Sequence, residues 1–220
     1  MTDFFDIDPR LMELARRAEE LCRPAFERIG RVEEYNGQKV LSAFLRAGVS
    51  EAHLKGTTGY GYDDRGREGL DQVFALIFGA EDALVRHTFV SGTHALATAL
   101  FGVLRPGDTM VSVTGAPYDT LEETIGIRGE HTGSLMDFGV KYRQIELLPD
   151  GSPDYGAIAA AAPSARMIYL QRSRGYSLRP SLSVETIGRA ARAAKEANPK
   201  VIVMVDNCYG EFVEEREPTQ

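Results

Sequence analysis

Val201-Ile202-Val203-Met204-Val205 is a run of five apolar residues, closed by Asp206 and followed by Asn207-Cys208-Tyr209-Gly210. A short continuous apolar run of this kind predicts a strand buried on both faces, as in a parallel sheet covered by helices. No other feature constrains the fold as much. A doubly buried strand needs a helical layer above and below it, and the rest of the chain must supply both. Asp206 then stands at the carboxyl end of the strand, the edge at which open α/β sheets bind ligands. Asp206 and Asn207 fit a turn cap equally well, because such side chains bond their own backbone two residues on.

Upstream, strand and helix patterns alternate. Leu84 to Val90, Thr109 to Val113, Tyr142 to Leu147 and Met167 to Gln171 are predicted strands. Thr93 to Leu104, Thr120 to Ile127, Tyr155 to Ala161 and Val184 to Ala197 are predicted helices, the last capped by Ser183. Strands separated by helices at this spacing predict an α/β fold with a mostly parallel sheet flanked by helices. Ahead of it, Leu11, Leu14, Ala15, Ala18, Leu21 and Cys22 recur at helical spacing, predicting a helix from Pro9 to about Ile29, with a second from Val40 to Ala47. Residues 1–55 are thus expected to form an N-terminal helical arm and 56–220 the sheet domain. The glycine-rich stretch Gly56 to Gly66 marks the boundary, and a helix from Arg67 to Phe78 follows.

Composition narrows the functional classes. At 220 residues and 43% hydrophobic the chain can bury one substantial core. Its net charge of −7 is spread without a basic block, which argues against a nucleic-acid partner and an anionic membrane surface. Cys22 and Cys208 are too far apart in sequence for a disulfide framework or a zinc site, so no metal is expected. No apolar run approaches the ~20 residues that span a bilayer, and the acidic start lacks the pattern of a secretory signal. A soluble cytoplasmic protein is the expectation.

Four segments are predicted to meet at one sheet edge. Ser91-Gly92-Thr93-His94-Ala95 opens a helix after a predicted strand, where unpaired first-turn N–H groups and the helix dipole favour an anion such as phosphate. Simple capping by Ser91 or Thr93 is the competing reading. Tyr118, in Gly115-Ala-Pro-Tyr, follows the next strand and could stack on a planar ligand or fill the core. Gln171-Arg172-Ser173-Arg174-Gly-Tyr follows a third strand and brings guanidinium and hydroxyl groups near a bound anion, or else forms a solvated basic loop. Asp206 follows the fourth.

This combination, with the wording of Tyr60-Gly-Tyr-Asp-Asp-Arg-Gly-Arg-Glu-Gly-Leu, Ser91-Gly-Thr-His-Ala, Gln171-Arg-Ser-Arg-Gly-Tyr-Ser-Leu-Arg-Pro-Ser and Val205-Asp-Asn-Cys-Tyr-Gly-Glu-Phe-Val-Glu, resembles the methionine gamma-lyase-like group also labelled aluminium resistance proteins. Those are fold type I pyridoxal-phosphate enzymes, and the resemblance covers nearly the whole chain but about the first half of a typical member. It implies the large domain of a pyridoxal 5'-phosphate-dependent carbon–sulfur lyase. The reaction would be β- or γ-elimination on a sulfur amino acid such as methionine or cystathionine, in a dimer or tetramer with shared sites.

By the same resemblance Asp206 would pair with the cofactor's pyridine nitrogen and Tyr118 would stack on its ring. Ser91, Gly92 and Thr93 would hold the phosphate, and Ser173 would lie close by. Tyr62 and Arg65 are the candidates to reach a neighbouring subunit's phosphate, with Tyr60 as the alternative to Tyr62. Members of the group form a Schiff base with a lysine well downstream of the aspartate. The five lysines here, Lys39, Lys55, Lys141, Lys195 and Lys200, all precede Asp206. The chain is therefore expected to be inactive by itself, with a non-catalytic binding or assembly module as the competing reading. Another α/β phosphate-binding enzyme, using His94 as base, is the third.

Overall fold

The computed structural model describes residues 5–60, 62, 64–130 and 132–220. Its first element is one helix, not two: α1 runs from Pro9 to Arg46 through Pro24, Gly30 and Gly37. Each interior glycine costs a helix about 1 kcal/mol. Contacts made by the second half of α1 outweigh that cost. Ala43, with Val40 and Ala47, packs on Val73 and Ile77 of α2 (Arg65–Phe78), and Asn36 Nδ2 donates to the carbonyls of Phe212 and Glu214 at 3.1 and 3.0 Å. The arm is thus tied to the body at its C-terminal end, and Asp8 caps its start by accepting from Arg10 N–H. A 3-10 turn at Glu51–Leu54 precedes the glycine-rich stretch, and Asp64 caps α2 by accepting from Arg67 N–H.

The predicted strand from Leu84 to Val90 does not form. Leu84 is 62% and Val90 83% exposed, and among the described residues no strand lies beside them. The Asp71 carboxylate holds this segment in place of a ladder, accepting from Val85 N–H and from Arg86 Nη1, both at 2.7 Å. The hydrogen bond from Arg86 is the main reason the Asp71 carboxyl is held below its ordinary 3.8. A group depressed in this way stabilises the fold above its unfolded pKa and loses that contribution as pH falls through the folded one. Asp71→Asn is expected to lower stability by about 1 kcal/mol at pH 7. The gap between variant and parent urea midpoints should close as pH is lowered below 3.8.

The remaining elements alternate as the patterning predicts. α3 spans Gly92–Val103, β1 Thr109–Ser112, α4 Asp119–Ile125, β2 Lys141–Gln144, α5 Tyr155–Ala161, β3 Met167–Gln171, α6 Val184–Ala197 and β4 Ile202–Asp206. The four strands among the described residues are all parallel, in the order β2-β1-β3-β4. Side chains alternate across the sheet. Val111, Ile168 and Leu170 pack against Ile158, Ile187 and Ala190 of α5 and α6, whereas Met110, Met167 and Tyr169 pack against Leu100, Leu121 and Ile125 of α3 and α4. The final strand departs from expectation. Val201 and Asp206 are buried but Ile202 to Val205 are half-buried, because β4 pairs only with β3 and lies at the edge of the described sheet. Among the described residues no helix is long and apolar enough to cross a membrane.

Candidate functional site

β1, β3 and β4 end side by side, and a cavity of about 470 Å³ opens at their carboxyl edge. Its floor is Asp206, in register with Gln171 on the neighbouring strand. Asp206 is 7% exposed, and its carboxylate is held at both oxygens. Oδ1 accepts from Cys208 N–H at 3.1 Å, and Oδ2 accepts from the Tyr169 hydroxyl at 3.1 Å. The first of these bonds is the turn cap that the dipeptide Asp206-Asn207 suggests, so the acid caps its turn and faces the cavity at once. Tyr169 is fully buried. Burial first, then the charge of Asp206 and the hydrogen bond to it, push its phenol far above the ordinary range, which leaves it a proton donor.

One wall of the cavity is the start of α3, through Gly92 and Thr93. Ser91 does not line it. Its Oγ accepts from His94 N–H at 3.1 Å, the ordinary cap, while the Thr93 and Thr120 hydroxyls meet at 2.8 Å. The N–H groups of Gly92 and Thr93, in the first turn, have no acceptor within the helix and belong to the cavity wall. A Cβ at Gly92 would meet no atom within 4 Å, so this wall is open to a ligand. His94 accepts from Val90 N–H at 3.3 Å and packs edge-on against Phe89, away from the cavity lining.

Tyr118 also lines this cavity and is shared with a second cavity of about 470 Å³ that extends to Glu146. Its ring lies 5.9 Å from that of Tyr176. Its phenol is pushed up to about 12, chiefly by the hydrogen bond to Tyr176, and is neutral near pH 7. Gln171 and Ser173 complete the lining. The Gln171 amide is oriented by Ser173, whose carbonyl accepts from Nε2 at 3.1 Å. A carbonyl only accepts, so Oε1 must face the other way. It is buried with no partner among the described residues.

Arg172 corrects the reading of its loop. It is neither solvated nor part of the cavity lining: it is 1% exposed, and each guanidinium nitrogen donates to protein. Nε donates to Leu182 O at 3.2 Å, Nη1 to Asn207 Oδ1 and Gly210 O at 2.8 and 2.7 Å, and Nη2 to Glu214 Oε1 at 2.7 Å. Arg179 spends its guanidinium on the carbonyls of Gln171, Ser173 and Pro180. The structure therefore brings Gly92, Thr93, Tyr118, Ser173 and Asp206 together, with Ser91 just behind them. It does not bring Tyr60, Tyr62 or Arg65 to the same cavity; both tyrosines are over 80% exposed, and Arg65 opens α2. None of the five lysines lines it. Tyr169, Gln171 and Cys208 are site residues that motif reading does not single out. The signal for Tyr169 is its place two residues before Gln171 on the same face of a buried strand.

The site is thus a sheet-edge cavity of an α/β domain, lined by a helix start, an aromatic ring and a buried aspartate. The chain belongs to the methionine gamma-lyase family, whose model matches residues 11–220. It is 50% identical over 194 residues to YnbB of Bacillus subtilis, covering 87% of this chain and 46% of that protein. A Clostridium novyi carbon–sulfur lyase involved in aluminium resistance superposes with a TM-score of 0.91 at 43% identity, over 97% of this chain and 51% of that one. A Listeria monocytogenes protein described as a candidate cystathionine beta-lyase involved in aluminium resistance does so with 0.90 at 47% identity, over 94% and 53%. The chain thus spans about half the length of these relatives.

Proposed function

We propose that this chain supplies the cofactor-binding half of a pyridoxal 5'-phosphate-dependent carbon–sulfur lyase, acting by β- or γ-elimination on a sulfur amino acid. The observation that carries this reading is the meeting of the α3 start, Tyr118 and Asp206 around one cavity. The residues fit the group: free N–H groups for a phosphate, a ring face for a pyridine, a buried carboxylate for a ring nitrogen, and an unpartnered Gln171 acceptor in the wall. When bound, the cofactor supplies a protonated ring that withdraws electrons from the α-carbon of an amino acid.

The chain's own residues then have defined roles. The Gly92 and Thr93 N–H groups, with the Ser91-capped helix behind them, bind the phosphate. Tyr118 covers the ring and excludes water from that face. Asp206 holds the proton at the ring nitrogen, and opposite charges in a buried site favour both ionised forms. Tyr62 and Arg65, exposed and outside this cavity's lining, suit a contribution to a second subunit's site in a homo-oligomer. With no lysine in the cavity lining, the chain by itself is proposed to bind the cofactor without turnover. The relatives' names support the carbon–sulfur lyase chemistry, with cystathionine as one substrate.

Pyridoxamine 5'-phosphate needs no lysine and isolates the binding step. Asp206→Asn is expected to weaken its binding by about 30-fold, the ~2 kcal/mol typical of removing one partner from a buried charged pair. Equal affinity of variant and parent, read by titration calorimetry, would sink the cofactor reading. Pyridoxal 5'-phosphate followed by borohydride should label no lysine selectively; near-stoichiometric labelling of one would overturn the absence of turnover.

A further inference from the structure

Asp206 is supported by a residue that carries no motif. Each of its oxygens has one protein donor, Cys208 N–H on Oδ1 and the Tyr169 hydroxyl on Oδ2. The first is local, two residues along the chain, and fixes the turn. The second crosses from β3 to β4 and comes from a fully buried side chain packed against Leu100, Leu121 and Ile125. A carboxylate pinned at both oxygens cannot rotate about χ2 without breaking one bond. Each oxygen keeps a further lone pair, and Asp206 lines the cavity. A cationic N–H donor arriving there meets an acceptor already oriented for it, and the ordering cost of binding is correspondingly low.

We propose that Tyr169 is a positioning residue: its hydroxyl orients the Asp206 carboxylate for a protonated heteroaromatic nitrogen in the cavity. This rests on the cofactor reading above and deepens it. Tyr169 lies beneath Asp206, within the core of the sheet, and acts through the acid alone. Burial and the charge of Asp206 keep its phenol protonated, so the direction of the hydrogen bond does not reverse near neutral pH. The role predicts a specific dependence. Loss of the hydroxyl should be felt by ligands that carry the ring nitrogen and not by those that lack it, and it should vanish once Asp206 is gone.

The experiment is a double-mutant cycle on the chain with Tyr169→Phe and Asp206→Asn, read with two probes. The probes are pyridoxamine 5'-phosphate and its 1-deaza analogue, in which carbon replaces the ring nitrogen. Tyr169→Phe is expected to weaken the first by about tenfold or somewhat more, near the lower end of what one hydrogen bond to a charged group is worth, and to leave the second unchanged. In the Asp206→Asn background the same substitution should have no further effect on either probe. An equal loss for both probes, or a full loss persisting in the Asp206→Asn background, would mean that Tyr169 only supports the core and would overturn the proposal. No loss with Tyr169→Phe alongside a large loss with Asp206→Asn would overturn it while leaving the cofactor reading intact. If Asp206→Asn itself binds as tightly as the parent, the cofactor reading fails and the positioning role falls with it. Should Tyr169→Phe unfold the chain, Tyr169→Met at the same buried position removes the hydroxyl with a different shape, and the same comparison of probes decides.

Discussion

Arg172→Leu is expected to cost about 3–5 kcal/mol of folding stability, which places it among the most damaging substitutions in the chain. Arg172 lies at the end of β3 and gathers three segments: the Leu182 carbonyl before α6, the Asn207–Gly210 turn, and the Glu214 and Glu217 carboxylates. Glu217 is fully buried, and its other hydrogen bonds come from Asn207 Nδ2 and Phe212 N–H at 3.2 and 2.8 Å. Leucine would leave that carboxylate without a cation, the Leu182 carbonyl without its donor, and the Gly210 carbonyl with only the long 3.4 Å bond from Val213 N–H. The loss follows from stranding a charge, and it should not be taken as the net worth of the ion pair. Arg172→Leu combined with Glu217→Leu is accordingly expected to recover part of the stability, measured as the urea midpoint at constant slope. The turn that Arg172 holds also contains two non-glycine residues at positive φ, Tyr209 at 65° and Phe212 at 63°. Such conformations persist only where surrounding contacts enforce them. Weakening the clamp should therefore loosen the segment that carries Cys208 N–H onto Asp206, and pyridoxamine 5'-phosphate affinity should fall with stability.

Gly126→Ala is expected to cost about 2–4 kcal/mol, from two causes that add. Gly126 ends α4 in a left-handed conformation, φ 101°, with its N–H donating to Glu122 O. An L side chain is strained there. A Cβ would also lie 2.3 Å from Ser134 Oγ and 2.9 Å from Ser134 Cβ, with Met136 Cβ at 3.1 Å. Ser134 and Leu135 are buried, so the clash cannot be relieved by swinging a side chain into solvent. α4, with Tyr118 at its N-cap, carries Thr120 and Leu121 into the cavity lining. Gly129→Ala is the contrast: φ is 83° but the nearest contact is Glu123 Cγ at 3.7 Å, so only the backbone cost of about 1 kcal/mol is expected. Urea unfolding of the two variants separates strain from overlap.

Much of this architecture is written in local patterns. The extents of α5, β3 and α6 follow from apolar periodicity and the Asp154 and Ser183 caps, since both signals act within a few residues. Tyr118, Ser173 and Asp206 were legible as residues at or just past the end of a strand, because the carboxyl edge of a parallel sheet collects such positions; Gly92 and Thr93 were read behind a strand that does not form and line the cavity through the start of α3. The failures are equally physical. Two helices read from the arm are one, because packing of residues 36–47 outweighs the glycine interruptions. Leu84 to Val90 has strand-like composition but no ladder beside it among the described residues, and strand propensity without a partner does not make a strand.

Sequence alone determined that Asp206 would end a strand at the carboxyl edge of the sheet, because an apolar run closed by an acid has few other places in a folded chain. It left open whether the acid caps a turn or faces a ligand. Only the tertiary structure decided that it caps its turn while lining the cavity, with one oxygen on Cys208 N–H and the other on Tyr169. The same holds for Arg172, a basic loop residue by pattern and a buried clamp in the fold. Periodicity and caps are short-range, so they are visible along the chain. The partners of Asp206 and Arg172 lie up to 45 residues away, and only the packing of β3, β4 and the 207–217 turn brings them within hydrogen-bond reach.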